Sequence, residues 1–501
     1  MQNQGLGSWL GRRLKKSGSK AVVIHGDRTL SYEQLHNRSA RLATALSEHQ
    51  VRPGDRVAFL GENSPEFLET FFAVGMLGAV IVPLNTRLAA PEIRYQLKDA
   101  GVVVLIHDAS LEGLAEPAAR GLDLARWNVG DGDHDAARAL ESLRENAEPW
   151  GEDVPVTLDD LAAILYTSGT TGSPKGACLT HGNFTWNCVN ALVDFDVRSD
   201  DVSLMISPMF HVASLGMGVL PAVLKGSTLV LESKFEPGRV LQLIEKHEVT
   251  SLSGVPTTFQ MLMEHPSWKD ADLSCLRRLT CGGSAIALKV IEAYEERGLA
   301  FTMSYGMTET SPGATTLPEE KSRQKVGSSG LPLFFTDVSV VGAAGEQGEI
   351  LISGPNVIKE YWHRPDATDA FEDGWFHSGD IGYVDAEGYL FVSDRLKDMI
   401  ISGGENIYPA EVEAVILELP EVLAVAVIGV PDQKWGEVPH AVVVPREGAQ
   451  LTNETVQRYL AGRLARYKVP KTLTMVDDMP RTASGKIRKN VLRDQLQASR
   501  P

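Results

Sequence analysis

The chain has 501 residues, 43% of them hydrophobic and 23% charged, and its formal net charge is −17. This length exceeds one ordinary hydrophobic core, so two or more domains are expected. The acidic excess argues against a non-specific nucleic-acid partner and against adhesion to an anionic membrane surface. No apolar run reaches the ~20 residues of a membrane-spanning helix. No apolar signal segment follows the basic cluster Arg12–Lys16. We therefore expect a cytoplasmic protein.

Residues 56–107 alternate between short apolar runs and helical patterns. Strands are predicted at 56–60, 79–82 and 102–106. Helices are predicted at 91–100 and after Ser64-Pro65, a pair that suits a helix N-cap and first turn. Continuous apolar strands between helices indicate a parallel sheet covered on both faces, which is an α/β fold. Residues 108–160 carry weak helical signals and are predicted to form a peripheral connection.

The rest of the chain predicts further α/β structure, a small β region and a separate C-terminal unit. Residues 200–330 continue the α/β pattern, with strands at 228–231 and 278–281. The alternating runs at 338–341 and 349–353 predict the small β region. Helices at 411–419 and 456–464 and strands at 424–430 and 441–444 predict a mobile α+β domain. We place the domains at 1–393 and 394–501. The four cysteines form no zinc or disulfide pattern and are expected to be buried thiols.

One loop carries the strongest chemical signal of the sequence. Residues 165–176 read Leu-Tyr-Thr-Ser-Gly-Thr-Thr-Gly-Ser-Pro-Lys-Gly and follow an apolar strand at 161–165. Glycines let the backbone approach an anion closely, and successive N–H groups can form an anion-binding nest. Hydroxyl groups and the single charge of Lys175 add further donors. The loop therefore predicts a polyphosphate site, although its spacing differs from that of the Walker P-loop.

Four weaker motifs follow in chain order. Residues 304–310 (Ser-Tyr-Gly-Met-Thr-Glu-Thr) offer an aromatic face, a hydroxyl and a carboxylate, groups that suit a base, a phosphate and a hard cation. Residues 375–380 end on Asp380, which could hold ribose hydroxyls. Residues 393–406 contain Asp394, Arg395 and the pair Gly403-Gly404 at the predicted domain boundary. Residues 480–486 end on Lys486. Each of these four motifs is weak when it is considered alone.

Together, in this order and spacing, the five motifs resemble the adenylate-forming superfamily of acyl-CoA synthetases, peptide-synthetase adenylation domains and luciferases. The resemblance extends from about residue 20 to 495. It implies an enzyme that uses ATP and Mg²⁺ to activate a carboxylic acid as its acyl-adenylate. A nucleotide-sensing protein without turnover is the alternative from another class. The implied nucleotide-binding residues are Thr167, Ser168, Gly169, Thr170, Thr171, Lys175, Gly283, Ser284, Ala285, Tyr305, Gly306, Met307, Thr308, Asp380 and Arg395.

The resemblance also implies individual roles. Tyr305 would stack on adenine, Thr308 would contact the α-phosphate and Glu309 would bind Mg²⁺. Asp380 and Arg395 would hold the ribose. Lys486 matches the lysine that bridges the carboxylate and the α-phosphate, and a positive charge there would oppose the charge that develops during transfer. Asp394 matches the hinge through which the C-terminal domain rotates between the two half-reactions.

An acid pocket is implied around residues 208–211, Pro-Met-Phe-His. His211 would lie beside the carboxylate, either as an aromatic wall or as a base for the nucleophile. The small or apolar lining suggests an aryl, cinnamate-like or medium-chain acid. An amino acid is disfavoured because no aspartate occupies 207–210 to bind an ammonium group. The implied pocket residues are His211, Ala213, Met217, Val255, Gly282 and Gly283.

Three stretches outside the motifs (3–9, 180–190 and 334–338) look like bacterial feruloyl-CoA synthetases. Coenzyme A is therefore the expected acyl acceptor. Some related enzymes, the amide bond synthetases, transfer the acyl group to an amine instead. Ile401 and Asn406 replace a lysine and a glutamine that plant coumarate ligases use near the thioester step. This departure keeps an amine acceptor as the alternative.

Overall fold

A computed structural model describes residues 2–130, 139–152, 154–167, 174–283, 286–343, 345–395, 398–402, 405–432, 435–461, 463–464, 466–482 and 486–498. Within these ranges, no helix is long and apolar enough to cross a membrane. The four cysteines are free thiols, and Cys275 differs from the prediction because it is only half-buried.

The first part of the chain alternates strands with helices. Its strands are β1 (Ala21–His25), β2 (Arg28–Ser31), β3 (Arg56–Leu60), β4 (Val80–Leu84), β5 (Val102–Asp108), β6 (Ala125–Val129), β7 (Leu161–Thr167) and β8 (Lys175–Thr180). Its helices are α1 (Trp9–Ser17), α2 (Tyr32–Glu48), α3 (Pro65–Met76), α4 (Ala90–Ala100), α5 (Glu112–Ala119), α6 (Leu140–Glu145) and α7 (His181–Asp194). The elements predicted between residues 56 and 107 are confirmed.

Local sequence explains where α3 begins. The Phe67 N–H group donates to Ser64 Oγ at 3.3 Å, and Pro65 occupies the first turn, as predicted. The prediction for 108–160 was wrong in one respect, because β6 extends the sheet beside β5 and α5 packs on it. The weak helical pattern concealed a strand whose pairing with β5 is decided only by tertiary structure.

The second part of the large domain follows the same alternation. Its strands are β9 (Val202–Met205), β10 (Thr228–Leu231), β11 (Ser251–Gly254), β12 (Arg278–Gly282), β13 (Phe301–Gly306), β14 (Gly313–Leu317) and β15 (Leu331–Pro332). Its helices are α8 (Leu220–Lys225), α9 (Pro237–Lys246), α10 (Pro256–Glu264) and α11 (Leu288–Glu295). A π-helical segment, Ala213–Val219, leads directly into α8.

Two mixed sheets organise this domain. One has the order β6-β5-β3-β4-β7-β8, and the other has the order β15-β14-β13-β12-β11-β9-β10-β1-β2. Neighbouring strands are parallel, except that the pairs β1–β2, β7–β8, β13–β14 and β14–β15 are antiparallel. The predicted α/β class with a parallel sheet is therefore confirmed.

Helices fill the space between the two sheets and cover their outer faces. Val57 and Phe59 of β3 point into the core that the two sheets share with α2, α3 and α7, whereas Ala58 and Leu60 point towards α4 and α5. Helices α9 to α11 cover the outer face of the second sheet. This layering explains why the central strands are apolar at successive positions.

A small antiparallel region and the C-terminal domain complete the described structure. The small region contains β16 (Asp337–Val340), β17 (Gly348–Ser353), β18 (Phe371–Glu372), β19 (Trp375–Val384) and β20 (Leu390–Arg395). The C-terminal domain contains β21 (Ile400–Ser402), β22 (Glu405–Ile407), α12 (Pro409–Ile416), β23 (Val422–Asp432), β24 (Gly436–Pro445), α13 (Asn453–Leu460), β25 (Thr472–Met475) and α14 (Lys489–Ala498). Its sheet separates two small apolar cores, which confirms the predicted α+β character.

Candidate active site

The predicted site residues gather at the carboxyl ends of parallel strands. Thr167 ends β7, Val255 follows β11, Gly283 follows β12 and Tyr305 lies near the end of β13. Crevices at this edge of an open α/β sheet are the usual place for ligands, because loops diverge there and strand ends present polar groups. Residues that are distant in sequence therefore lie at the carboxyl ends of strands in two different sheets.

The strands that flank the predicted phosphate loop form a hairpin. Thr167 lies opposite Lys175 in the antiparallel pair of β7 and β8. The loop residues Ser168, Gly169, Thr170 and Thr171 lie outside the described ranges. Lys175 Nζ lies 5.3 Å from the centroid of the Tyr361 ring, within the range of a cation–π contact. The single cation of the motif is thus held against an aromatic face at the base of the loop.

Tyr361 connects this hairpin to Glu309. Its segment runs beside β8, where the Trp362 N–H group donates to Gly176 O at 2.7 Å. The Tyr361 hydroxyl donates to Glu309 Oε1 at 2.8 Å. Burial and the adjacent carboxylate raise the pKa of Tyr361 well above its usual value, so the hydroxyl stays a donor. Sequence reasoning missed Tyr361, because no motif marks it and its neighbours come from remote strands.

The geometry around Glu309 fits the predicted cation. Glu309 lies in a short 3₁₀ turn, Thr308–Thr310, directly after β13. Its main-chain oxygen accepts from the Ile358 N–H group at 2.9 Å, and its side chain is oriented by Tyr361. Mg²⁺ is commonly bound through one or two carboxylates together with substrate phosphates. A fixed carboxylate at a strand end, facing the phosphate-loop hairpin, is compatible with that arrangement.

Tyr305 and Asp380 meet, although 75 residues separate them. The Tyr305 hydroxyl donates to Asp380 Oδ2 at 2.8 Å, which fixes the orientation of the ring. Asp380 is buried on β19 and lies opposite Arg395 of β20. The Arg395 side chain lies outside the described part of the structure. Gly306 and Met307 continue the chain from Tyr305 into the turn that carries Thr308.

His211 lies in the segment after β9 and is half-buried. Its Nε2 atom is buried and has no hydrogen-bond partner among the described residues. Burial, reinforced by the charges of Arg87 and Lys486, lowers the pKa of His211 to about 4. The ring is therefore neutral near pH 7, with a nitrogen available to an incoming polar group.

Lys486 of the C-terminal domain reaches the large domain beside Gly283. A Cβ atom at Gly283 would lie 3.4 Å from Lys486 Cε and 3.5 Å from Val255 Cγ1. Gly283 also has a φ of +87°, which a residue with a side chain rarely adopts. The structure therefore places Lys486, Gly283 and Val255 side by side. The charge of Lys486 also acts on His211 and lowers its pKa. Ser284 and Ala285 lie outside the described ranges.

Three further residues predicted for the acid pocket lie after His211 or at the end of β12. Ala213 and Met217 lie on the π-helical segment that follows His211. A Cβ atom at Gly282 would lie 3.1 Å from Ser304 O, so a glycine lets β12 and β13 approach closely there. A cavity beside Met217 extends along β9, β11 and β12.

Buried asparagines hold the loops of the site, and sequence reasoning missed them. Asn63 Nδ2 donates to Ser207 O at 3.0 Å, and Asn63 Oδ1 accepts from the Met209 N–H group at 2.8 Å. Asn187 Nδ2 donates to Gly216 O at 2.8 Å, and Asn187 Oδ1 accepts from the Gly313 N–H group at 3.1 Å. One signal was available: residues 183, 187 and 190 are all asparagines, at the spacing of one helix face.

Asp394 contacts both domains. It pairs with Ile381 at the end of the antiparallel region, and its Oδ2 atom accepts from the Ala410 N–H group of α12 at 2.8 Å. Nearby, Lys489 Nζ lies 2.8 Å from Glu413 Oε1, which joins α14 to α12. These contacts place Asp394 between the small β region and the first helix of the C-terminal domain.

Comparisons with known proteins identify the family. Residues 10–362 match the AMP-binding enzyme family, and residues 411–486 match the AMP-binding enzyme C-terminal domain. The chain belongs to the AMP-binding enzyme family. Among its relatives, a feruloyl-CoA synthase from Amycolatopsis sp is 51% identical over 500 residues, which cover 98% of this chain and 99% of that protein.

Solved structures of AMP-binding enzymes agree with the fold. The o-succinylbenzoate coenzyme A synthetase from Bacillus subtilis, in complex with ATP and a magnesium ion, has a TM-score of 0.88 and 36% identity over 98% of this chain and 99% of that chain. An anthranilate CoA ligase in complex with anthranoyl-AMP has a TM-score of 0.94 and 26% identity over 100% and 99% of the two chains. These matches confirm the predicted family and the two-domain α/β fold class.

We expect His211 to stay neutral in the free enzyme between about pH 5.5 and 8, because its pKa is near 4. In the unfolded chain the pKa is about 6.5. As the pH falls from about 6.5 towards 4, the unfolded state therefore binds a proton at this residue before the folded state does. The free energy of unfolding decreases over that range, and this residue does not change it above about pH 6.5. A ¹³C-histidine NMR titration would measure this, with the His211 signal assigned by its loss in His211→Asn. A midpoint between pH 6 and 7 would contradict the expectation.

Proposed function

We propose that this protein is an ATP-dependent, AMP-forming acid–CoA ligase with the site residues described above. One observation carries the assignment of the site. Lys486, on the C-terminal domain, lies beside Gly283 and close enough to His211 to lower its pKa. A cation of the C-terminal domain therefore lies beside the strand ends that carry the predicted nucleotide-binding residues. This is where the acid and the α-phosphate must meet.

The first half-reaction joins two anions that repel each other. A carboxylate oxygen of the acid attacks the α-phosphorus of ATP, pyrophosphate leaves, and an acyl-adenylate forms. Lys486 offers an ammonium group to both anions, which offsets their repulsion and the charge that develops in the transition state. Thr308 contacts the α-phosphate. Bound Mg²⁺ supplies Lewis-acid stabilisation of phosphate oxygens, and we assign Glu309, oriented by Tyr361, as its protein ligand.

The nucleotide is positioned by residues on three strand ends. We assign Tyr305 to stack on adenine, supported by the hydroxyl contact that fixes its ring. Asp380 and Arg395 hold the ribose, and the loop from Thr167 to Lys175 holds the β- and γ-phosphates. In the second half-reaction a thiol loses its proton to solvent, the thiolate attacks the acyl carbonyl carbon, and AMP leaves with the electron pair of the mixed-anhydride bond. Neutral His211 can accept a hydrogen bond at this carbonyl end of the pocket.

The acid is an aryl or cinnamate-like acid. Two observations support this class: the 51% identity to a feruloyl-CoA synthase over nearly the whole chain, and a pocket formed by uncharged residues. We place the domain boundary at 393/394 and the reaction in the cytoplasm. Four free thiols agree with a reducing compartment.

The proposal is tested by pyrophosphate release with ATP, Mg²⁺ and a panel of acids: cinnamic, benzoic and medium-chain acids, with a no-acid control. Coenzyme A and a primary amine are then compared as acceptors. We expect AMP, pyrophosphate and an acyl-CoA, with cinnamic-type acids preferred. Formation of ADP and an acyl phosphate would overturn the mechanism. Amide formed faster than thioester would replace coenzyme A as the acceptor, as in an amide bond synthetase.

A further inference from the structure

Two cations on one face of α14 pair with acidic residues near the proposed hinge. Lys489 is the first residue of α14, and its Nζ atom lies 2.8 Å from Glu413 Oε1 of α12. Arg493 follows four residues later on the same helix face, and its Nη2 atom donates to Asp398 Oδ1 at 2.7 Å. Asp398 lies four residues after the proposed hinge residue Asp394. The first turn of α14 is therefore bound both to α12 and to the segment that follows the hinge.

The ion pair of Lys489 and Glu413 is largely shielded from solvent. The two side chains are only 15% and 17% exposed. Glu413 Oε1 also accepts from the Val427 N–H group at 2.6 Å, and one turn earlier in α12 the Ala410 N–H group donates to Asp394 Oδ2. Burial lowers the pKa of Lys489, but the carboxylates of Glu413 and Asp394 outweigh this effect and raise the pKa above its usual value. Lys489 is therefore a charged residue that is held in one place.

This pair joins two helices that lie on opposite faces of one sheet. Val412 and Ile416 of α12 pack in one apolar core of the C-terminal domain, whereas Leu492 of α14 packs in the other. The strand β23 ends the sheet order β22-β21-β24-β23, and the two charged side chains meet at its edge. The attraction between two charges is stronger where water is excluded. The ion pair therefore anchors the start of α14 to the helix that contacts the hinge residue.

Lys486 lies three residues before Lys489, in a segment that is hydrogen-bonded to the chain just before it. The Thr482 N–H group donates to Lys486 O at 2.7 Å, and the Lys486 N–H group donates to Thr482 Oγ1 at 3.1 Å. The Arg488 N–H group donates to Pro480 O at 2.8 Å. These bonds leave little freedom between Lys486 and the start of α14. A displacement of the first turn of α14 would therefore also displace Lys486.

We propose that Lys489, through its ion pair with Glu413, is a positioning residue for Lys486 in the adenylation step. The pair fixes the start of α14, and with it the ammonium group that must lie between the acid and the α-phosphate. The inference rests on the proposed function, because it concerns the residue that this function places at the two anions. A misplacement of about 1 Å can lower a rate about 10²-fold, so a small loosening of this anchor has a large effect.

The test measures both half-reactions in Lys489→Met, which removes the charge but keeps a long unbranched side chain. We expect single-turnover pyrophosphate release to become about tenfold slower. Acyl transfer from preformed adenylate and the KM for ATP should change little, because Lys489 contacts neither substrate in our proposal. Lys489→Arg keeps the charge and should restore most of the rate. The matched control is Lys468→Met, because Lys468 Nζ lies 2.7 Å from Glu411 of the same helix α12. The control should keep both rates.

A second variant separates positioning from stability. Lys489→Met leaves the Glu413 carboxylate without its cation, which should destabilise the domain, and adding Glu413→Gln removes that charge and should recover the melting temperature. A double variant that melts near the parent but still adenylates about tenfold more slowly supports positioning. If adenylation recovers together with the melting temperature, the pair is only structural and the inference is wrong. Equal losses in the two half-reactions of Lys489→Met would also contradict it.

The same measurements separate this inference from the proposed function. If the parent releases no pyrophosphate with any acid, or if Lys486→Ala adenylates at the parent rate, then both fail. If Lys486→Ala adenylates slowly while Lys489→Met adenylates at the parent rate, then only the inference fails.

Discussion

Lys486→Ala should reduce the rate of acyl-adenylate formation by about 10²–10³, which corresponds to about 3–4 kcal/mol of transition-state stabilisation. The ammonium group lies beside Gly283, where the carboxylate and the α-phosphate meet in our proposal. Neutral alanine cannot offset their mutual repulsion. Transfer from a supplied acyl-adenylate to coenzyme A should change much less, because that step involves no attack on phosphorus.

The measurements are single-turnover pyrophosphate release and, separately, thioester formation from preformed adenylate. Lys471→Ala is a suitable control, because it removes a lysine of the same domain whose partner is the surface residue Asp432. The control should keep both rates. If Lys486→Ala lowers both half-reactions equally, then Lys486 has a structural role or the domains do not alternate.

Asp394→Pro should preserve adenylation and slow acyl transfer about tenfold or more, if rotation at this residue separates the half-reactions. In the structure Lys486 already lies at the pocket, so adenylation needs no rotation from this arrangement. Proline fixes φ near −65° and removes an N–H group, which restricts the torsions that a hinge uses. Two rates are measured: acyl transfer from preformed adenylate to coenzyme A, and single-turnover pyrophosphate release.

The control for this variant is Asp394→Ala. It removes the carboxylate that accepts from the Ala410 N–H group but leaves φ free. A slow proline variant beside a faster alanine variant would identify the backbone torsion as the cause. Equal rates in the two variants would point to the lost carboxylate contact instead. A proline variant that transfers at the parent rate would refute the hinge. Thermal unfolding must be compared first, since a misplaced proline can cost about 3 kcal/mol.

Local patterns in the sequence sufficed for the elements between residues 56 and 107 and for the strand that leads into the phosphate loop. Strand and helix periodicities are read over a few residues, and residues 56–107 folded as they predict. The failure at 108–160 has the opposite cause, because β6 is a strand through its pairing with β5. The residues of a short, half-apolar segment do not show which strand it will pair with.

By itself, the sequence determined the α/β class, the separate α+β C-terminal unit and the residue types that an adenylating site needs, because periodicity, glycine turns and charged motifs are local properties. Only the tertiary structure brought Tyr361 to Glu309 and Lys486 to Gly283. Each of these contacts joins segments that are at least 50 residues apart or lie on different strands. Strand order and register decide which side chains lie close together, and a local hydrophobic pattern specifies neither of them.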